Sequence, residues 1–163
     1  MEPSPKLDGV HHLKLPVSDL RRSQRWYESR LGYQVTEEFH EHAGLMGIGM
    51  EHPNGGPGIA LRLDPRRARA AAGFDYFAIG VPDEKSIRAL AARLSDLGEQ
   101  HAGVHFATFG WILPMLHDPD GHEVRFYTTQ HHTPTDPGHV RIVHDAVATA
   151  RRRAAELDNA RKG

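Results

Sequence analysis

The sequence predicts an α+β fold of two tandem βαβββ modules, because the chain states one pattern twice. The strand-like stretch from Val10 to Asp19 returns in outline from Phe74 to Asp83. Each copy runs into a helical pattern ended by Leu-Gly, at Leu31-Gly32 and at Leu97-Gly98. Each then reaches an X-Pro-X-Gly turn, His52-Pro53-Asn54-Gly55 and Asp118-Pro119-Asp120-Gly121. The spacing is 64 residues from His12 to Tyr76, 66 from Gly32 to Gly98 and 66 from Pro53 to Pro119. Two extra residues in the second helix account for the difference. Half-modules of about 60 residues are marginal alone, so the two are expected to share one core.

Residues 1–8 are polar and contain proline, which predicts a flexible lead-in. Module one, 9–64, opens with a strand over 10–17 that alternates Leu13, Leu15 and Val17 on one face with Val10, His12, Lys14 and Pro16 on the other. Ser18 is the expected cap of a helix whose apolar side carries Leu20, Trp26, Tyr27 and Leu31, with Gly32 as its left-handed stop. Strands are expected near 33–41, 45–52 and 58–63. The basic, alanine-rich stretch 64–73 reads as a connection with one or two helical turns. Module two, 73–129, repeats the order: a strand over 75–81, a helix over 84–97 capped by Asp83, and strands near 103–107, 111–117 and 122–128. The second helix has Ile87, Leu90, Ala91, Leu94 and Leu97 on one side. Beyond Thr129 the repeat ends. Asp136-Pro137 is expected to open a C-terminal helix over 136–161, with a seam of Val143, Val147, Ala150, Ala154 and Leu157. It is expected to dock on the outside of the domain, a dimeric coiled coil being the alternative.

Composition narrows the functional classes. The 163 residues carry a formal charge of −1, without the concentrated basic excess that nucleic acid demands. The absence of cysteine excludes disulfides, thiolate catalysis and cysteine metal sites. No apolar run approaches the ~20 residues of a membrane span, and the N-terminus lacks the regions of a signal peptide, so a cytoplasmic protein is expected. Neither a Gly-x-Ser-x-Gly elbow nor a phosphate-binding Gly-Lys-Ser/Thr loop is present.

The stretch from His12 through Leu20, then Trp26-Tyr27 and Leu31-Gly32-Tyr33, resembles the opening of a vicinal-oxygen-chelate domain. Asp118-Pro119-Asp120-Gly121-His122-Glu123-Val124-Arg125-Phe126-Tyr127 resembles its closing strand. The resemblance covers roughly 9–129. It implies the superfamily of glyoxalase I, bleomycin-resistance proteins, fosfomycin-resistance enzymes and extradiol dioxygenases, in which paired modules curl into a glyoxalase-like cup. It also implies a homodimer, sometimes with exchanged modules. Metal enzymes of that superfamily take a His or Gln from the first strand of each module and a Glu from the closing strands. Carried over, those positions are His12, Tyr76 and Arg125, and the matching strand of module one, Ile59-Ala60-Leu61-Arg62-Leu63, has no carboxylate. A guanidinium where a carboxylate should be sets a fixed positive charge beside any cation. A metal-free cup is therefore expected, with His12 the metal ligand only if iron, manganese, nickel or zinc binds.

Alternation predicts that His12, Lys14, Tyr76, Glu123, Arg125 and Tyr127 face the cup, with Val124 and Phe126 on the helix side. In an unbulged neighbouring strand Trp111, Leu113, Met115 and His117 share the cup face. As a ligand site, Arg125 and Lys14 clamp a carboxylate, phosphate or enolate oxygen, while Tyr76, His12 or Glu123 moves a proton. The plainer account makes Arg125 and Glu123 mutual partners and Tyr76 a packed core tyrosine. His101, His105, His117 and His122 offer a non-standard metal site with His12, and His11 is expected to pack under the helix. The expected function is binding of a small polycyclic or aromatic, partly anionic molecule, as bleomycin-resistance-like sequestration or as a metal-independent isomerase or lyase. The alternative is a metal-dependent glyoxalase-like or dioxygenase-like enzyme.

Overall fold

The computed structural model describes residues 7–75, 77–133 and 138. The C-terminal helix expected over 136–161, Gly138 apart, and Tyr76 lie outside the described residues. Module one runs β1 (His12–Val17), α1 (Leu20–Trp26, continued by a π-helical turn Tyr27–Leu31), β2 (Gln34–Glu41), β3 (Gly44–Glu51) and β4 (Gly58–Leu63). A short α2 (Pro65–Ala71) connects it to β5 (Ala78–Val81), α3 (Glu84–Asp96), β6 (His105–Phe106), β7 (Trp111–His117) and β8 (Glu123–Thr128). The two sheets have equivalent orders, β1-β4-β3-β2 and β5-β8-β7-β6. Within each, the first strand runs parallel to the last and the remaining pairs are antiparallel. The duplicated α+β module is thus present in the backbone. β5 and β6 are shorter than their sequence patterns imply.

Local chemistry sets the boundaries. Asp19, not Ser18, caps α1, its carboxylate accepting the Arg22 N–H at 2.9 Å. Ser18 is drawn away instead, its hydroxyl donating to Asp120 at 2.5 Å. Asp83 caps α3 as expected, accepting the Ser86 N–H at 2.8 Å. Gly32 ends the first helix at φ 79°, a left-handed conformation that costs an L side chain about 1–2 kcal/mol.

One apolar cluster joins the two sheets and the helices packed on them. Leu15, Val17, Ile48, Met50, Ile59 and Leu61 supply it from the first, and Leu113, Leu116, Val124 and Phe126 from the second, with Trp26, Tyr27, Ile87 and Leu94 of the helices. Burying each such side chain is worth about 1.5–3 kcal/mol, which neither half secures without the other. Alternation then turns the opposite strand faces away from this core.

The expected unbroken alternation of β7 does not hold. Its register against β8 shifts between Leu113 and Leu116, with Met115 at φ 63°. Leu113, opposite Phe126, therefore packs in the core, as does Leu116 opposite Val124. Trp111 sits on the helix side with Leu113, packed against the core with the Arg88 guanidinium of α3 4.7 Å from its ring centre. A bulge inserts one residue and reverses which side chains share a face, and this corrects the placement of Trp111 and Leu113 on the cup face.

Candidate functional site

Sequence reasoning placed the candidate residues in one cup; the structure divides those it describes between two sheets. On the first, His12 and Lys14 are exposed, and β1 pairs Lys14 with Ala60. They line a hollow of about 290 Å³ with Phe39, Gly49, Ala60 and Arg62. A Cβ on Gly47 would stand 3.3 Å from the Leu61 carbonyl and 3.5 Å from the Phe39 ring, so glycine keeps that floor low. Arg62 is engaged by the Glu41 carboxylate through both Nη atoms. Hydrogen bonding to Arg62 holds the Glu41 pKa below its usual range. His12 Nδ1 lies 2.8 Å from Nδ1 of His11, one donating to the other. His11 is thus exposed beside His12 and not packed under the helix.

On the second sheet, Arg125 is half-buried opposite Ala78, between two carboxylates. Its Nη2 is 2.6 Å from Asp75 and 3.6 Å from Glu123, while its Nε is buried with no hydrogen-bond partner among the described residues. Glu123, only 9% exposed, spends Oε1 on the Met115 N–H at 2.9 Å. That bond fixes the bulge of β7 and ties Glu123 to backbone. Tyr127 lies opposite Ile112, with its ring against Phe109 at 5.7 Å. A Cβ on Gly110 would come within 2.7 Å of the Tyr127 ring, so this glycine cradles it. Asp75 was missed from sequence because alternation over an expected strand 75–81 set it on the face opposite Tyr76, whereas β5 starts only at Ala78. Phe39 and Arg62 were missed because, beyond His12, the family pattern points in module one only to a carboxylate on the 58–63 strand, and nothing in the pattern of 33–41 marks Phe39 as facing a hollow.

Whether a metal fits depends on the donors themselves. His12 matches a ligand position, but the position of the closing-strand glutamate holds Arg125, and its module-one counterpart, by the shared register of the parallel pairs, is Ala60. No group of three or more His, Asp or Glu side chains with metal-binding geometry occurs among the described residues. Two of the four histidines proposed to join His12 are spent elsewhere. His122 is buried with Nε2 2.7 Å from the Pro16 carbonyl, and His101 bonds the end of α3 through Ser95 and the Ala91 carbonyl. The donor set does not fit the superfamily's metal.

Two βαβββ modules with parallel outer pairs and a shared core define the vicinal-oxygen-chelate class. The sequence profile of the Glyoxalase/Bleomycin resistance protein/Dioxygenase superfamily matches residues 9–126, and the chain belongs to that superfamily. Among solved structures, a glyoxylase/bleomycin resistance protein/dioxygenase domain from Frankia sp. EAN1pec is similar at TM-score 0.61 and 24% identity, over 77% of this chain and 94% of that one. TnmS3, an antibiotic binding protein from Streptomyces sp. CB03234, is similar at TM-score 0.60 and 17% identity, over 78% and 100%. The fosfomycin resistance protein FosX from Mesorhizobium loti is similar at TM-score 0.59 and 17% identity, over 77% and 95%. No curated protein matches the sequence. No helix among the described residues is long and apolar enough to cross a membrane.

Proposed function

We propose that the protein binds a small aromatic, partly anionic molecule in the cytoplasm without using a metal. The observation that carries this reading is Arg125, a guanidinium in the position of a metal-binding carboxylate, whose buried Nε–H has no acceptor among the described residues. A buried donor without a partner costs about 1–3 kcal/mol, which a ligand oxygen would recover. Tyr127 offers an aromatic surface two residues along the same strand face. His12 and Lys14 belong to the other sheet, so the full cup is assigned to a homodimer in which one chain's first sheet meets its partner's second. The antibiotic binding stated for TnmS3 supports sequestration on this scaffold. Turnover by a metal-independent isomerase or lyase, with Tyr76, His12 or Glu123 moving the proton, is the less favoured version, since Glu123 is already tied to Met115.

The test combines elemental analysis of untagged protein with calorimetric titration of 1-naphthoate, and light scattering for the dimer. Expected are substoichiometric metal, unchanged in His12→Ala, and binding weakened about 10- to 100-fold in Arg125→Met. Near-stoichiometric iron, manganese, nickel or zinc, lost in His12→Ala, would overturn the reading in favour of a metal enzyme.

A further inference from the structure

The duplicated module should make two equivalent joints between the halves, and among the described residues only one is filled. At the filled joint, the turn after β7 closes on α1. The Tyr27 hydroxyl donates to Asp118 at 3.0 Å, Ser18 and Arg22 donate to Asp120, and His122 meets the Pro16 carbonyl. Counted from the two N-caps, Asp19 and Asp83, the places of Trp26 and Tyr27 are taken in α3 by Leu90 and Ala91. The turn Asp118-Pro119-Asp120-Gly121-His122 is answered by His52-Pro53-Asn54-Gly55-Gly56. Tyrosine reduced to alanine and histidine to glycine leave the second joint open.

The opening is a cleft of about 620 Å³, within the range of about 300–1,000 Å³ that holds drug-sized ligands. Leu13, Leu31, Phe77, Leu90 and Phe126 form much of its wall, and no charged side chain among the described residues lines it. An ion would enter without a counter-charge, so the occupant is neutral. Of the polar side chains, His52 is committed: Nε2 lies 3.1 Å from the Leu31 carbonyl, and Nδ1 accepts the Asn54 N–H at 3.1 Å. Tyr33 is not. It is 7% exposed, its hydroxyl makes no hydrogen bond among the described residues, and burial pushes its pKa up. Leu13 and Phe126 point to the helix side of their strands, away from the faces of His12 and Arg125.

We infer that this cleft is a second ligand site, for a neutral, ring-containing molecule whose single hydrogen-bond acceptor takes the Tyr33 hydroxyl. The probes are 2-acetylnaphthalene, with one carbonyl acceptor, and naphthalene, with none, titrated into the full ¹⁵N-labelled chain. Saturable binding is expected, with amide shifts at Leu31, Gly55, Gly56, Gly80 and Thr129. Tyr33→Phe should weaken 2-acetylnaphthalene about five-fold and leave naphthalene unchanged, a split that a general packing defect would not produce. Filling the cleft by Leu90→Trp, or independently by Thr129→Trp, should weaken both probes roughly ten-fold or more. Shifts centred on His12 and Lys14 or on residues 123–127, or unchanged binding in both tryptophan variants, would overturn the inference. So would contacts into Leu31 or Leu90 of the free chain from Val143, Val147 or Leu157, or from an unlabelled second copy. Those would show the cleft already occupied.

Discussion

The two X-Pro-X-Gly turns occupy equivalent places and have opposite fates. The turn at Asp118 is buried at Asp118 and His122 and reaches the other module: Asp118 accepts from Tyr27 as well as from the backbone of Asp120 and His122, and Asp120 accepts from Ser18 and Arg22. The turn at His52 is partly exposed and bonds within its own module. Duplication therefore does not duplicate roles. One joint is tied by hydrogen bonds between the modules, whereas the other is open among the described residues.

Breaking the closed joint should have the largest effect. Asp118→Ala strands buried donors of His122, Asp120 and Tyr27, and is expected to cost about 3–5 kcal/mol in urea unfolding, whereas His52→Ala should cost about 1 kcal/mol. Equal costs would erase the distinction between the joints. Asp118 also carries a pH signature, because burial raises its pKa above the ordinary aspartate value. With the folded pKa above the unfolded one, its contribution is most favourable at acid pH. It is lost as pH rises from about 4 through the raised value. Hydrogen bonding gives Glu38, Glu41 and Asp83 the reverse behaviour, lowering their pKa values so that their contributions are lost as pH falls. Asp118→Asn should remove only the first slope, so the variant gains on the parent as pH rises between about 4 and 7, read from unfolding curves at several pH values. Tyr27→Phe keeps the ring and loses one buried hydrogen bond, for an expected cost of about 1–2 kcal/mol.

The joint also marks where sequence reasoning succeeds. The repeat is visible because both turns need proline and glycine and both helices need a glycine stop, so backbone constraints print the same letters twice. The core faces of β1 and β8 were legible for a similar reason: Leu15, Val17, Val124 and Phe126 obey strict alternation. Side-chain contacts between distant segments leave no such print. Nothing in Ser18 announces that it bonds Asp120, 102 positions away, and leaves the cap to Asp19. The site was legible by position only, in that Arg125 stands out against a superfamily pattern. The separation of His12 from Arg125 onto different sheets depends on how the modules pack, and the face of Trp111 on a bulge that no residue type encodes.

That bulge offers the smallest and most local test of how the modules diverged. Three residues before each turn, module one has Gly49 and module two has Met115. A Cβ on Gly49 would stand 3.4 Å from the Glu37 Cβ, at the edge of ordinary contact, and Gly49 has no left-handed backbone. Met115 instead holds φ 63°, a left-handed conformation costing about 1–2 kcal/mol without glycine, pinned by the Glu123 carboxylate beside Arg125. Met115→Gly relieves that strain but enlarges the entropy of the unfolded chain, so a net gain of about 0.5 kcal/mol is expected. Measured together with 1-naphthoate binding, the variant separates two roles for the strain. A more stable protein with unchanged affinity makes the bulge a by-product of strand registry. A more stable protein that binds less tightly ties the strained turn to the positioning of Glu123 and Arg125, which module one, with Gly49 in an unshifted register against β4, has no means to provide.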